Sequence, residues 1–306
     1  MAPDWRAAAV AFRAKARRDP ADFDAAQKAI SAVAAAVERG EAPLAPEAPA
    51  PAPGTAAVSI ACCSHRPERL EAMRRHFAQA LGPRPHEFVA VTDARSLAEG
   101  YNRALERCRH GIVVFTHDDV ELVSPAPFEA LERALGGHDI VGLAGSRLVN
   151  GPAVMWAGHP HLHGWVAYPA PPGEAGFKAT AYSLESGVLG GMQSLDGLLI
   201  AARREAARRI GFDAATFDGF HFYDLDFCWR AHLAGLRLAV TTEVVAIHAS
   251  LGRFDESWQR AAGRFREKYP ALAAPKGAHH HYAARLSSRG KLLRFYRELA
   301  ALGAAS

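Results

Sequence analysis

Two carboxylates in tandem, Asp118 and Asp119, follow the short apolar run Ile112-Val-Val-Phe-Thr116, separated from it only by His117. At the carboxyl end of a buried strand such a pair repels itself unless a cation or strong donors neutralise it. A divalent cation held by one or two carboxylates and by substrate phosphates is one solution; a turn in which both side chains cap the following chain is the other. A second acidic cluster, Asp224-Leu-Asp226, opens a helical stripe of Phe222, Leu225, Trp229 and Leu233. Its two carboxylates, two positions apart, point to roughly opposite sides of the helix. Asp226 faces Arg230 one turn later and reads as half of a structural ion pair. Asp224 has no such partner in sequence, so it either favours the helix N-terminus through the dipole or, at a cleft, acts as a base. His248 closes the apolar run 244–247. Alone it is an ordinary strand-end histidine; with Asp119 it completes a mixed oxygen and nitrogen site suited to Mn²⁺ and less well to Mg²⁺.

These side chains need a scaffold that brings them together. Short apolar runs at 58–63, 88–91, 112–116 and 140–144 alternate with helical patterns over 67–80, 96–108 and 125–135. The runs lack polar alternation, which predicts parallel strands covered by helices on both faces. In such sheets ligands bind beyond the carboxyl ends of the strands. That rule selects the loops 64–66, 92–95 and 117–120, and with them Ser64, Arg66 and Asp93, each of which also reads as a turn or cap residue. Beyond residue 151 the pattern loosens. Residues 154–157 and 165–168 read as hairpin strands around a His-rich turn, 198–202, 236–240 and 244–247 as strands, and 204–210, 222–233, 255–268 and 288–301 as helices. Asp196, in the turn Leu195-Asp-Gly197, either contacts a ligand or only shapes the turn.

Ahead of this alternation lie two helical stripes, Trp5, Ala8 and Phe12 in the first and Phe23, Ala26, Ile30, Val33 and Val37 in the second. Asp19-Pro20 parts them. Pro43, Pro46, Pro49, Pro51 and Pro53 among alanines then form a stiff extended linker. The hairpin reads as a docking appendage through which a protein partner or a second copy of the chain is expected to bind.

Taken in order, several segments carry a family likeness. They are the strand ending in the Ser64/Arg66 loop, Ala98-Glu-Gly-Tyr-Asn102-Arg-Ala-Leu, the strand into His117-Asp-Asp119, Ser194-Leu-Asp196-Gly, Tyr223-Asp224-Leu-Asp226 and His248-x-Ser-x-Gly252. Together they resemble the inverting, family 2-like glycosyltransferases of the GT-A fold, and among these the group typified by the streptomycin-biosynthesis StrF domain. The resemblance implies an α/β fold, a Rossmann-like nucleotide-diphospho-sugar transferase with a mixed sheet flanked by helices. It covers residues 57–270, leaving a helical hairpin at 1–40, a linker at 41–56 and a C-terminal helical extension at 271–306. It further implies transfer of a sugar from a nucleoside-diphosphate donor, with UDP the expected nucleotide, to a hydroxyl of a glycan, lipid-linked or protein acceptor. Mn²⁺ or Mg²⁺ is the implied cofactor. By position, His117-Asp118-Asp119 stands for the D-x-D motif, with His117 and Asp118 toward the nucleotide. Asp119 and His248 would hold the metal, Asp224 would be the general base, and Asn102 and Asp196 would lie near the donor. His117 stands where the pattern has its first Asp, and Tyr223 where it has a Glu. The alternative reading is a catalytically silent GT-A domain that binds nucleotide or glycan and recruits a partner. Nucleotidyl transfer on a similar sheet ranks last, because the Gly-rich basic phosphate loop it needs is missing.

The rest of the sequence sets bounds. With 306 residues, 49% of them hydrophobic and 22% charged, the chain has room for a sizeable core. A net charge of +4 without a basic block does not imply nucleic acid. Cys62, Cys63, Cys108 and Cys228 are spaced as neither a disulfide framework nor a metal knuckle, which points to a reducing cytoplasm. Neither a signal-peptide core nor an apolar run long enough to span a bilayer is found. His159, His161 and His163 alternate and on one strand would share a face as zinc ligands, but Pro160 and the nearby glycines favour an acceptor-side loop. His279-His280-His281 reads as a solvated turn.

Overall fold

The computed structural model describes residues 4–43, 54–250, 252 and 254–304, so most of the expected linker, 44–53, lies outside the described residues. Helices α1 (Trp5–Arg18) and α2 (Phe23–Arg39) come first. Asp4 and Asp22 cap them, each carboxylate accepting from the backbone N–H three residues on. The alternation then runs β1 (Val58–Cys63), α3 (Pro67–Leu81), β2 (His86–Val91), α4 (Leu97–Arg107) and β3 (Ile112–Thr116). After β4 (Val120–Leu122) and α5 (Pro127–Gly137) come β5 (Ile140–Gly142), β6 (Ala144–Ser146), β7 (Leu162–Pro169), β8 (Phe177–Ala181), β9 (Val188–Met192), β10 (Ser194–Leu195) and β11 (Leu199–Arg203). Next are α6 (Arg204–Ile210), α7 (Tyr223–Leu233), β12 (Leu238–Thr241), β13 (Ala246–His248), α8 (Glu256–Lys268), β14 (Tyr282–Leu286) and α9 (Arg289–Ala304).

Among the described residues the strands form two sheets. The first has the order β2-β1-β3-β11-β5-β12-β9. β1 pairs in parallel with β2 and β3, as its uninterrupted apolar run predicts. β11 inserts antiparallel between β3 and β5, so the sheet is mixed, as the family resemblance implied. Alternate residues of β1 enter different cores: Val58, Ile60 and Cys62 pack with α3 and α5, and Ala61 with α4 and α7. The second sheet has the order β10-β6-β7-β13-β4, with β8 paired to β7 and β14 to β8. The strand expected at 140–144 is divided between the two sheets, β5 in one and β6 in the other.

The hairpin strand expected at 154–157 does not form; the segment is a turn. Gly151 and Pro152 start it, and the Trp156 ring occupies the space a Cβ on Gly151 would need while its Nε1 donates to the Ala274 carbonyl, 2.8 Å away. The three alternating histidines do not share a strand face either. His163 is on β7, whereas His159 and His161 precede it, and His159 turns toward Phe23 and Tyr282. His279 leaves its expected solvated turn to stack on Phe23, with centroids 4.1 Å apart. Among the described residues no helix is long and apolar enough to cross a membrane.

The N-terminal helices share a core with the second sheet and α9. Ile30, Val33 and Val37 of α2 pack with Trp165, Ile247, Tyr282 and Phe295. Trp165 stacks on Tyr296 at 5.5 Å, and the Tyr296 hydroxyl reaches the Thr180 N–H and the Val166 carbonyl. Apolar area removed from water is the dominant stabilising term here. Ile30→Ala, at a fully buried position, should therefore cost about 2–5 kcal/mol. It should be read as a lower urea midpoint at unchanged slope; an unmoved midpoint would show that α2 contributes nothing to folding of the sheets.

Candidate active site

The site forms where β3 ends. Its last residue pairs with the first of β11, Thr116 with Leu199, and the His117 N–H donates to the Leu198 carbonyl (3.2 Å). The chain then turns through Asp118 and Asp119 into β4, which lies antiparallel to β13 in the register Val120 to His248. The Ala249 N–H closes the pair on the Asp119 carbonyl (3.0 Å). A one-residue slip in this ladder would send the His248 ring to the opposite face. In the observed register its Nε2 lies 3.3 Å from Asp119 Oδ1 and 3.3 Å from His117 Nδ1. Ligand atoms of His117, Asp119 and His248 all lie within 4.8 Å of one another. Among the described residues this is the one group of three His, Cys, Asp or Glu side chains so arranged. Burial, reinforced by the neighbouring His248, pushes the His117 imidazole down to about 4. Burial would by itself raise Asp119, but the hydrogen bond and charge of His248 hold it down at about 2.

The tandem carboxylates separate in their partners. Asp118 Oδ2 accepts from the buried Ser64 hydroxyl at 2.5 Å, which ties the β3 turn to the loop after β1. Arg69, on α3, faces both, its Nη1 3.6 Å from Asp119 and 3.9 Å from Asp118. No motif singled out Arg69. The only signal was its place three residues after Arg66, one turn into a helix that begins at a ligand-binding loop.

The other wall is the start of α7. Asp224 Oδ2 accepts from the Gly197 N–H (2.8 Å), and the Tyr223 hydroxyl reaches the Gly197 carbonyl (3.2 Å) and His117 Nε2 (2.7 Å). Gly197 permits this approach, since a Cβ there would overlap the Tyr223 hydroxyl. Asp196 forms the same turn, its Oδ1 accepting from the Leu198 N–H (3.0 Å). Burial first, and then the charge of Asp196, raises Asp224 to about 7 against the opposing effect of backbone donors at Leu225 and Gly197. Tyr101, Tyr223 and Cys228 are its other titratable neighbours, each pushed further up by its charge. Behind the wall, Asp226 is fully buried and bonded to Arg230 (2.8 Å), Lys268 (2.6 Å) and Tyr269 (2.7 Å), which fastens α7 to α8. The structural ion pair expected for Asp226 is present, in a larger network.

Three of the expected nucleotide-side residues stand apart from the cluster. Asn102 spends both ends of its amide on the backbone of Phe212, at 2.8 Å each. Asp93 is an exposed partner of Arg103 (2.8 Å). Arg66 is exposed and occupies the N-cap of α3, its own N–H donating to Ser64 Oγ (3.1 Å).

Comparison with known proteins follows this geometry. The family described as "Glycosyltransferase like family" matches residues 82–269. No curated protein matches the chain. Among solved structures, the mannosyltransferase PcManGT from Pyrobaculum calidifontis, in complex with GDP-Man and Mn²⁺, is 14% identical, with a TM-score of 0.46 over 98% of this chain and 82% of its own. GalNAc-T7 with UDP, GalNAc and Mn²⁺ is 9% identical, with a TM-score of 0.40 over 64% of this chain and 44% of its own. The family match and the mixed, helix-flanked sheet bear out the expected fold class and the reading of the chain as a glycosyltransferase. The matched segment runs from just after α3 through the acidic turn, Asp224 and His248 to just past the end of α8, and on it this chain belongs to the glycosyltransferase-like family.

Proposed function

We propose that the chain is a metal-dependent inverting glycosyltransferase of the StrF-like group, working in the cytoplasm on a nucleoside-diphosphate sugar, with UDP the nucleotide to test first. The observation that carries this reading is the pairing of two unlike centres across the Asp196-Gly197 turn. One is the His117, Asp119 and His248 cluster; the other is the carboxylate of Asp224, raised to about 7.

Asp119 and His248 suit a divalent ion. Their ligand atoms lie 3.3 Å apart, one a carboxylate oxygen and one an imidazole nitrogen, a set that fits Mn²⁺ better than Mg²⁺. An ion held there supplies Lewis-acid stabilisation of the negative charge gathering on the departing diphosphate. Arg69, half-exposed beside the acidic pair, can turn its guanidinium to a phosphate oxygen and add a second positive charge. Ser64 and Asp118 keep the loop after β1 and the acidic turn in register beneath the donor.

Asp224 takes the proton of the acceptor hydroxyl as that oxygen attacks the anomeric carbon. The new carbon–oxygen bond forms on the face opposite the bond to the diphosphate, which leaves with its electron pair, so the configuration inverts. The Gly197 N–H fixes one carboxylate oxygen and leaves the other for the proton. A base with a pKa near the working pH combines adequate basicity with a large deprotonated fraction.

Two measurements test the assignment. Asp224→Asn should lower turnover by roughly 10²- to 10⁴-fold, while the thermal shift produced by UDP-sugar and Mn²⁺ stays as in the parent. Unchanged turnover would remove Asp224 from the mechanism. The base works only as the carboxylate, so kcat/KM should rise with pH through about 7 and level off above it. Asp196→Asn takes away a neighbouring negative charge, which lowers the pKa of Asp224 and should move that rising limb to lower pH. A limb that stays in place would show that another group sets it.

A further inference from the structure

The cluster holds a third potential ligand that the reading above leaves unused, and its setting says what it does. His117 Nε2 lies 2.7 Å from the Tyr223 hydroxyl, whose oxygen is also 3.2 Å from the Gly197 carbonyl. That carbonyl can only accept, so the phenol proton goes to it. The phenol oxygen then accepts from His117 Nε2–H, which leaves the Nδ1 lone pair bare and fixes the tautomer. Nδ1 faces His248 Nε2 at 3.3 Å, and Nε2 faces Asp119 Oδ1 at 3.3 Å. His117 Nδ1 and Asp119 Oδ1 thus both face His248 Nε2, which either gives them its one proton or, with that proton on its Nδ1, leaves three Lewis bases converging on one point. Ser250 Oγ lies 3.2 Å from His248 Nε2 and also bonds to Asp119. A divalent ion in the place of the His248 Nε2 proton would satisfy all three bases together. Two ligand atoms about 2.1 Å from one ion lie about 3.0 Å apart at right angles and about 3.4 Å apart at the tetrahedral angle, and His248 Nε2 is 3.3 Å from each of the other two ligand atoms.

We propose that His117 is a third metal ligand, set by the Tyr223 hydroxyl and the Gly197 carbonyl, and that the resulting two-His-one-carboxylate site takes nitrogen-preferring divalent ions in strong preference to Mg²⁺. This rests on the metal reading of Asp119 and His248 and extends it from two protein ligands to three. Two imidazoles and one carboxylate on one side of an ion are the donor set that leaves open positions for other ligands, here the donor phosphates. Imidazole favours the later first-row ions, whereas Mg²⁺ prefers oxygen and keeps its waters. Tyr223 acts as a positioning residue: it touches the ligand and not the ion, as the outer partners of metal-bound histidines do.

The test is direct metal binding by the metal-stripped full chain without nucleotide. Co²⁺ is followed by its visible ligand-field absorption, Mn²⁺ by electron paramagnetic resonance and Mg²⁺ by competition. The parent should bind Co²⁺ more tightly than Mn²⁺, and about a hundredfold excess of Mg²⁺ should fail to displace either. Tyr223→Phe should weaken Co²⁺ binding by roughly 10- to 100-fold, and His117→Ala by at least as much, with metal-free circular dichroism like that of the parent. His117→Asp should retain Mn²⁺ and narrow its advantage over Mg²⁺. Parent-like Co²⁺ affinity and absorption in both His117→Ala and Tyr223→Phe would overturn the proposal. If Asp119→Ala and His248→Ala lose binding in that same series, the two-ligand site of the proposed function still stands. A parent chain that takes up none of these ions refutes both.

Discussion

His117 and His248 are 131 residues apart in sequence, yet their ring nitrogens face each other at 3.3 Å with a carboxylate beside them. Lewis bases do not gather this closely without rigid support, because each would otherwise be solvated separately. The support has two parts. The antiparallel register of β13 on β4 carries His248 to Asp119. The start of β11, bonded along β3 up to His117, carries the Asp196-Gly197 turn to the other side. Both strands run antiparallel to the neighbour they meet at the site. The site therefore depends on the reversal of β11 that makes the first sheet mixed and on the second sheet that holds β13.

The same turn couples the two halves of the proposed chemistry. Gly197 gives its N–H to Asp224 and its carbonyl to Tyr223, and Tyr223 in turn holds His117. One residue, through the peptide units on its two sides, thus spaces the proposed base from His117. Asp196 does something different: its charge, after burial, keeps Asp224 from behaving as an ordinary carboxylate. The acid–base wall is stiffened from behind by the Tyr101, Phe212 and Phe227 rings that pack around Tyr223 and α7, and by Asp226 bonded to Lys268 and Tyr269.

How much of this was legible before the structure depends on how local each feature is. The runs at 58–63 and 112–116 declare themselves as covered strands because both faces are apolar, and the helices around them follow from period 3.6. β4, β6 and β10 have three residues or fewer, and β9 carries two adjacent glycines. Such segments have too little pattern to announce a strand, and their pairing is decided by neighbours distant in sequence. The division of 140–144 between two sheets is of the same kind. At the site, Asp119 and His248 could be picked out by residue type and strand-end position, and Asp224 as an unpaired carboxylate opening a helix. Asp93 carried the strand-end mark and Asn102 the family likeness, but here their polar atoms are taken by Arg103 and Phe212. Hydrogen-bond competition of this sort is invisible until the partners are in place.

The two residues at which the chain departs from the family pattern, His117 and Tyr223, were the apparent weak points of the sequence reading. They lie 106 residues apart and are joined by a 2.7 Å hydrogen bond. Read singly, a histidine in place of an acid removes a charge from a cation site, and a tyrosine in place of a glutamate removes another. Read as a pair, they exchange charge for geometry. In the proposed site the imidazole, lowered to about 4 by burial and then by His248, is a neutral nitrogen donor, and the phenol hydrogen bond fixes its ring. Removing the Tyr223 hydroxyl would leave Nε2 of His117 without this partner, a loss that costs about 1–3 kcal/mol. The 2.7 Å hydrogen bond between them therefore makes the two residues one unit of the site.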